Sequence, residues 1–290
     1  MAPRRALPTV PRGGSTDARY RGLVAHSRTR RILVRRHDDG ASRRAPDQVA
    51  VEEPLEIRLD GHVVTTTMRT PGDDHELGVG FAWAEGLLDG ARLGGVRSCG
   101  LGLDARAAFN IVDVDTGGTA EPPTPRLTPT TAACGVCGVA SVEDMLDRLR
   151  PLDRTVDVPV EVMLAVADRV RPAQELFSTT GGVHAACAFR PDGEPVVVRE
   201  DIGRHNAVDK VVGRLHLDGR LPAADLGLFV SGRAGFEIVQ KAWAAGFGTV
   251  VAVGAPTSLS VEVAHMAGIT LAAFLRPGGI NVYAGEPART

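Results

Sequence analysis

Two cysteines separated by two residues are the side chains best suited to chemistry, in the segment Cys134-Gly-Val-Cys137-Gly. Only small residues lie between and beside them, and a Pro-rich stretch precedes them, so the segment predicts a loop whose sulfur atoms are exposed. An exposed Cys-x-x-Cys pair either binds a metal or performs thiol chemistry. The rest of the sequence must decide between these uses.

Two metal sites would use this pair. A structural zinc site would combine Cys134 and Cys137 with His184 and Cys187, although Cys187 lies in a segment that predicts a buried strand. A zinc deaminase requires His-x-Glu followed by Pro-Cys-x-x-Cys. Here Ala133 stands where the proline would be, and no His-x-Glu precedes the pair.

Two kinds of thiol chemistry would use the pair without a metal. A thioredoxin-like pair normally begins a helix, whereas the next predicted helix begins four positions beyond Cys137, at Ser141. A sulfur carrier requires an exposed thiolate that holds a second sulfur atom as a persulfide. The residues alone leave zinc binding and sulfur carriage about equally favoured.

The composition limits where this chemistry takes place. The 290 residues carry a formal net charge of −2, which predicts no general attraction to nucleic acid or to anionic membranes. There is no secretory pattern and no apolar run of the ~20 residues that a membrane span needs. We therefore expect a cytoplasmic protein with reduced thiols.

Four regions are predicted along the chain. Residues 1–28 are rich in arginine, glycine and proline and predict a disordered tail. Residues 29–114 predict a small α+β lobe, because period-two strands there flank a helical pattern. Residues 115–140 predict a mobile linker that carries the cysteine loop. Residues 141–290 predict an α/β lobe that binds a cofactor.

The second half alternates apolar strands with helices. Strands are predicted at 226–230, 249–253 and 270–275, with helices at about 234–245 and 259–267. This order predicts a parallel sheet with helices on both faces.

Polar segments follow each of these three strands. In an open α/β sheet, ligands bind at the carboxyl ends of the strands, and helix N-termini there suit phosphate groups. The simpler interpretation is that the hydroxyl side chains only cap helices. Because three segments coincide at one edge, the sequence favours a site for an anionic ligand, formed by Ser231, Gly232, Arg233, Thr257, Ser258, Arg276, Pro277, Gly278 and Gly279.

A dense polar cluster spans Glu200 to Lys210 and opens a predicted helix directly after another strand. It is either an ion-pair network or part of the same site, and we favour the site, with Arg204 and His205 as binding residues. The Gly-rich turn from Thr180 to His184 could line the same cleft through its backbone.

Several motifs together resemble one known family. They are Cys134-Gly-Val-Cys-Gly138, Thr180-Gly-Gly-Val-His-Ala-Ala186, Glu200-Asp-Ile-Gly-Arg-His-Asn-Ala-Val-Asp-Lys210, Ser231-Gly-Arg233 with Phe236-Glu-Ile-Val-Gln-Lys241, and Ala255-Pro-Thr-Ser-Leu259 with Phe274-Leu-Arg-Pro-Gly-Gly279. In this order they resemble the FdhD family of formate dehydrogenase accessory proteins, from about residue 30 to residue 284.

The resemblance implies a fold, a function and partners. It implies a cytidine-deaminase-like three-layer α/β fold, with a mixed, largely parallel sheet and no metal ligands. It implies a cytoplasmic sulfurtransferase-type carrier that accepts sulfur from a cysteine desulfurase. The sulfur passes to the molybdenum of bis-molybdopterin guanine dinucleotide, which activates formate dehydrogenase. Guanine nucleotides would mimic that client cofactor, and the carrier would be a homodimer.

The resemblance also implies roles for residues. Cys134 or Cys137 carries the persulfide, and the cofactor-binding stretch is Phe274, Leu275, Arg276, Pro277, Gly278 and Gly279. Gly279 stands where some members carry a basic residue, so that phosphate contact is absent here or is made by Arg276. A zinc protein or a cofactor chaperone that uses the same cleft is the alternative.

Overall fold

The computed structural model describes residues 27–98, 110–123, 150–153 and 156–288. The predicted tail lies outside these residues except at its last two positions. The cysteine loop at Cys134 and Cys137 and most of the predicted linker also lie outside them. The proposed boundaries of the four regions therefore remain predictions.

The N-terminal part contains two sheets and one helix. The strands are β1 (Thr29–Asp38), β2 (Ala41–Ala50), β3 (Glu53–Leu59), β4 (His62–Arg69), β5 (Gly95–Ser98) and β6 (Ile111–Asp115), with α1 (Asp74–Ala84) between β4 and β5. Strands β1 and β2 form a separate hairpin, and the others form a sheet in the order β4-β3-β6-β5. The sequence predicts a hairpin between β3 and β4 with its turn at Gly61-His62, and this hairpin is confirmed. Its turn lies one residue earlier, at Asp60-Gly61, where both residues have positive φ.

Helix α1 is shorter than its apolar spacing predicts. It ends at Ala84 instead of continuing through Leu88. Gly86 takes a φ of 72° and its N–H donates to the carbonyl of Trp83, so a left-handed turn terminates the helix.

The C-terminal part is one six-stranded sheet covered by helices. Its strands are β7 (His184–Phe189), β8 (Pro195–Asp201), β9 (Gly227–Val230), β10 (Thr249–Ala252), β11 (Thr270–Arg276) and β12 (Gly279–Ala284), in the order β12-β11-β10-β9-β7-β8. Its helices are α2 (Val160–Val170), α3 (Glu175–Thr180), α4 (Arg204–Leu217), α5 (Phe236–Ala245) and α6 (Ser258–Ala267). The three central strands are parallel, as predicted. Strands β7 and β12 run antiparallel to their neighbours, so the sheet is mixed.

Apolar side chains cover both faces of this sheet, which confirms the predicted layers. One face packs against α4, α5 and α6, through residues such as Val211, Val239 and Val263. The other face packs against α2 through Met163 and Val166.

The two parts of the chain meet where α1 crosses α4. A Cβ added to Gly80 would lie 1.8 Å from the carbonyl oxygen of Asp209, and one added to Gly213 would lie 1.8 Å from that of Glu76. The helix backbones therefore touch, and only glycine fits at these two positions. This contact holds the N-terminal sheet against the helices that cover the second sheet.

Candidate functional site

The structure brings the three predicted anion-binding segments to one sheet edge. They follow β9, β10 and β11, which are parallel neighbours. The N–H of Gly254 donates to the carbonyl of Gly232 at 2.9 Å, and the N–H of Phe274 donates to the carbonyl of Gly254 at 3.2 Å. The loops therefore lie side by side at this edge.

The hydroxyl side chains at this edge already have intramolecular partners. Thr257 caps α6 in a reciprocal capping box with Ser260, with distances of 2.8 and 3.2 Å. Ser231 exchanges two hydrogen bonds of 2.9 Å with the backbone of Ala185, which joins β9 to β7. The sequence also predicts that the segment Ser231-Gly-Arg233 leads directly into a helix. That prediction is wrong, because α5 has Gly235 as its N-cap. Ser258, the first residue of α6, is exposed.

The two arginines at this edge differ in their surroundings. Arg233 is exposed beside Gly254, where an added Cβ would lie 2.9 Å from the Arg233 backbone. Arg276 is also exposed, but its guanidinium donates to the carbonyl of Phe274 at 2.9 Å. A Cβ at Gly279 would lie 3.2 Å from that guanidinium, so Arg276 occupies the space that a larger side chain at residue 279 would need.

Phe274 has an unusual backbone conformation. Its φ is 55° in the middle of β11, where the pairing with β12 is irregular. A bulky residue in this region is strained, and such strain is frequent at functional sites. The ring is 44% exposed and lies at 6.4 Å, centroid to centroid, from the ring of Tyr283. The remaining residues of this stretch surround the turn, with Leu275 buried and Pro277 and Gly278 exposed.

An open cleft of about 730 Å³ lies at the same edge of the sheet. Its volume is typical of small-molecule sites. One wall consists of the Gly-rich turn at residues 181–184 together with Ser231, and the sequence predicts that this turn lines the cleft. The other wall is formed by α2 and the segment that follows it. The lining residues are Ala167, Asp168, Arg171, Gln174, Phe177, Gly181, Gly182, Val183, His184, Phe229, Ser231 and Val253.

The wall formed by α2, α3 and the segment between them is not among the sequence predictions. Its signal is the apolar spacing of Met163, Val166 and Val170, which is typical of an amphipathic helix. The guanidinium of Arg171 lies 4.7 Å from the ring centroid of Phe177, a cation–π contact. This wall therefore offers an aromatic face and a positive charge to a ligand.

Glu200 fixes this wall to the sheet. Its carboxylate accepts the N–H groups of Leu176 and Phe177 at 2.8 and 2.7 Å, at the N-terminus of α3. Glu200 is 4% exposed. It acts through α3, which it orients toward the cleft.

The rest of the polar cluster is a buried network that joins the two parts of the chain. Lys210 Nζ lies 2.8 Å from Asp201 Oδ2, and both side chains are fully buried. Asp201 also accepts the N–H of Thr70, and Asn206 donates to the carbonyl of Met68. These partners belong to β4 and the residue after it, so much of this motif is structural.

Arg204 and His205 occupy different places. A Cβ at Gly232 would lie 3.5 Å from Arg204 Cδ and 3.4 Å from His184 Nδ1, so these two side chains flank the end of β9. His205 is 8% exposed and lies 2.7 Å from the carboxylate of Glu237. Arg204 is thus at the edge, whereas His205 links α4 to α5.

Protonation of two histidines is expected to destabilise the fold. The pKa of His184 lies below its usual value. The largest cause is burial, and the second is repulsion from the charges of Arg204 and His205. Burial alone lowers the pKa of His216, whose ring packs edge-on against Trp83 with 4.9 Å between centroids.

These histidines therefore bind protons at a higher pH in the unfolded chain than in the folded protein. The free energy of unfolding consequently decreases as the pH falls below about 6.5. We expect the urea midpoint to decrease between pH 7.5 and pH 5.5, and to decrease less in a His184→Gln/His216→Gln variant. An equal decrease in both proteins would contradict this assignment.

Cys187 is a core residue, as the sequence predicts. It is fully buried, and burial raises the pKa of its thiol to about 12. His184 and Cys187 are three residues apart on β7 and so face opposite sides of the sheet. They cannot bind one metal ion together, which removes the second half of the hypothetical zinc site.

Within the part of the chain that the structure describes, no group of three or more His, Cys, Asp or Glu side chains could hold a metal ion. No helix among the described residues is long and apolar enough to span a membrane.

The sheet and its cleft define a mixed α/β protein with an open cleft at the carboxyl ends of its parallel strands. A crystal structure from Desulfotalea psychrophila, described as that of a formate dehydrogenase accessory protein, is similar. Its TM-score is 0.70 with 25% identity, and the similarity covers 89% of this chain and 97% of that one.

Sequence comparison defines the family. The model of the FdhD/NarQ family matches residues 50–290, so the chain belongs to that family. The sulfur carrier protein FdhD of Streptomyces avermitilis is 47% identical over 266 residues, covering 89% of this chain and 94% of that protein. The protein of the same name from Corynebacterium efficiens is 46% identical, with 83% and 90% covered.

Proposed function

We propose that this protein is a sulfur carrier that serves formate dehydrogenase. Near full-length similarity to proteins named sulfur carrier protein FdhD carries this proposal. A thiolate at Cys134 or Cys137 attacks the outer sulfur of a cysteine desulfurase persulfide. The donor's S–S bond breaks, the donor cysteine leaves as a thiolate, and the carrier holds the new persulfide.

The acceptor in this proposal is the molybdenum of bis-molybdopterin guanine dinucleotide, bound as a substrate. The cleft of about 730 Å³ has the size for one nucleotide arm of that cofactor, not for all of it. Arg233 and Arg276 at the adjacent loops supply charge for its phosphates. The exposed ring of Phe274, whose backbone is strained, lies in the same loop as Arg276.

We further propose that the protein acts in the cytoplasm as a homodimer. The cytidine-deaminase-like description of the fold also belongs to this proposal. Its support is the three-layer arrangement with the parallel strands β9, β10 and β11 at the centre.

Guanosine diphosphate binding tests the assignment of the edge. We expect Arg233→Ala and Arg276→Ala each to weaken binding about ten-fold, the loss expected for one charge-assisted hydrogen bond. Isothermal titration calorimetry measures this, with Arg190→Ala as the control because Arg190 is an exposed arginine distant from these loops in the sequence. Unchanged affinity in both edge variants would refute the site.

A cofactor chaperone is the competing function, and formate dehydrogenase activation separates the two. The carrier predicts that a Cys134→Ala/Cys137→Ala variant binds guanosine diphosphate normally but fails to activate the dehydrogenase. Full activation by that variant would establish the chaperone instead.

A further inference from the structure

Gln174 carries a buried side-chain amide that lines the cleft. The residue is 6% exposed, and it stands at the N-cap of α3, where a polar side chain normally accepts a backbone N–H. It makes no such cap bond. Its backbone carbonyl accepts the hydroxyl of Ser178, but in the part of the chain that the structure describes its amide has no hydrogen-bond partner. The amide is therefore free to bind a ligand.

Glu200 explains why this amide is left over. The Glu200 carboxylate accepts the N–H groups of Leu176 and Phe177, at 2.8 and 2.7 Å, and these are the bonds that an N-cap side chain would make. The amide of Gln174 is therefore not needed to hold α3 in place. Because buried polar groups in proteins are almost always hydrogen-bonded, an unpaired amide in a cleft wall indicates a ligand with a complementary polar edge.

A flat stacking surface lies in the same wall as the amide. The guanidinium of Arg171 lies 4.7 Å from the ring centroid of Phe177, and Arg171 is exposed. Guanidinium planes and aromatic rings are the surfaces on which nucleic-acid bases stack in proteins. The wall therefore suits a flat heteroaromatic ring that has hydrogen-bonding groups along one edge.

Asp168 limits which edge that ring can present. Its exposed carboxylate lines the same cleft, three residues before Arg171, so the two side chains share a helix face. A carboxylate only accepts hydrogen bonds, whereas the amide of Gln174 also donates them. Guanine matches this pair, because its O6 acceptor is followed by two donors, N1–H and the exocyclic amine. Adenine does not, because its unprotonated N1 would face the carboxylate.

We propose that Asp168 and Gln174 select guanine at this end of the cleft. Gln174 donates to O6, Asp168 accepts N1–H and the exocyclic amine, and the base stacks on the Arg171–Phe177 pair. The phosphates then extend toward Ser231 and the loops after the parallel strands. This inference rests on the proposed function, in which the cleft holds one nucleotide arm of the client cofactor, and it names the residues that choose the base.

Three nucleoside diphosphates test this selection in the wild-type protein by isothermal titration calorimetry. Inosine diphosphate differs from guanosine diphosphate only in lacking the exocyclic amine, so we expect it to bind about ten-fold more weakly. Adenosine diphosphate presents the wrong edge, and we expect it to bind at least about ten-fold more weakly. An affinity for either nucleotide equal to that for guanosine diphosphate would overturn the selection.

Asp168→Ala has an effect whose sign is diagnostic. If Asp168 acts only through its charge, its removal strengthens the binding of every nucleotide, because the ligands carry negative phosphates. If it reads the base, guanosine diphosphate binds about ten-fold more weakly and its preference over inosine diphosphate is lost. The control is Glu161→Ala, which removes an exposed carboxylate from α2 outside the cleft lining and should leave both affinities unchanged. Unchanged or stronger binding of guanosine diphosphate by Asp168→Ala would overturn its role.

Gln174→Met separates a ligand contact from a structural one, because methionine has a similar length and no amide. We expect the affinity for guanosine diphosphate to fall about five-fold, the loss of one neutral hydrogen bond. The preference over inosine diphosphate should remain, since both bases carry O6. The urea midpoint of the free protein should be unchanged or higher, because the amide has no partner to lose among the described residues. A lower midpoint, or an unchanged affinity, would overturn the role of Gln174.

The outcomes also separate this inference from the proposed function. Binding of guanosine diphosphate without base selectivity would overturn the inference alone and leave the nucleotide site in place. Failure of the wild-type protein to bind any of the three nucleotides would overturn the inference together with the anion-binding edge. Sulfur loading of Cys134 and Cys137 is measured separately, by mass, so a failure of sulfur carriage remains distinguishable from both.

Discussion

A Gly213→Ala variant is expected to lose about 3–5 kcal/mol of unfolding free energy, at the upper end for a single substitution. The reason is the α1–α4 crossing, where the added methyl carbon would lie 1.8 Å from the carbonyl oxygen of Glu76. Neither helix backbone can move without separating the two parts of the chain. Gly80→Ala should behave in the same way, because the contact is reciprocal.

The sign of this effect makes it diagnostic. Alanine in a helix interior is favoured over glycine by about 1 kcal/mol, so helix propensity alone predicts that Gly213→Ala stabilises the protein. Urea unfolding decides between the two. The control is Gly95→Ala, since no atom lies within 4 Å of a Cβ at Gly95, and its effect should stay within about 0.5 kcal/mol. A stabilised Gly213→Ala protein would show that the two helix backbones are not in contact at this crossing.

Lys210→Met should destabilise the protein by about 3–5 kcal/mol, because it leaves a buried carboxylate without its cation. Lys210 and Asp201 are both 0% exposed and 2.8 Å apart. The ammonium also donates to the carbonyl of Thr70 at 3.0 Å, so the substitution removes a link between the two parts of the chain.

A double-mutant cycle measures this pair. Asp201→Asn should recover part of the loss in the Lys210→Met background, because it removes the orphaned charge. Arg43→Met is the control, as its pair with Asp38 is exposed and such pairs contribute roughly 0–1 kcal/mol. Additive effects of Asp201→Asn and Lys210→Met would contradict the coupling.

Much of the C-terminal fold can be predicted from the sequence because its signals are local. Buried parallel strands such as Thr249–Ala252 appear as continuous apolar runs, and the helices between them have clear apolar spacing. Strand β2 could not be foreseen, because Ala41–Ala50 is polar and contains a proline. It forms by pairing with β1, which no local pattern encodes.

The candidate site also contains parts that could be predicted from the sequence and parts that could not. The polar segments after β9, β10 and β11 could be placed at one edge because parallel strands share their carboxyl ends. The cluster from Glu200 to Lys210 could not be resolved from sequence. Two of its partners, Met68 and Thr70, lie more than a hundred residues away, so a buried network there has the same local pattern as a ligand site.

Sulfur loading of the cysteine loop tests the central claim most directly. The protein is incubated with a cysteine desulfurase and cysteine, and its intact mass is measured with and without reductant. We predict added sulfur that the reductant removes, located on Cys134 or Cys137 by peptide mapping and absent from the Cys134→Ala/Cys137→Ala variant. No added sulfur on the wild-type protein, or equal loading of that variant, would contradict sulfur carriage.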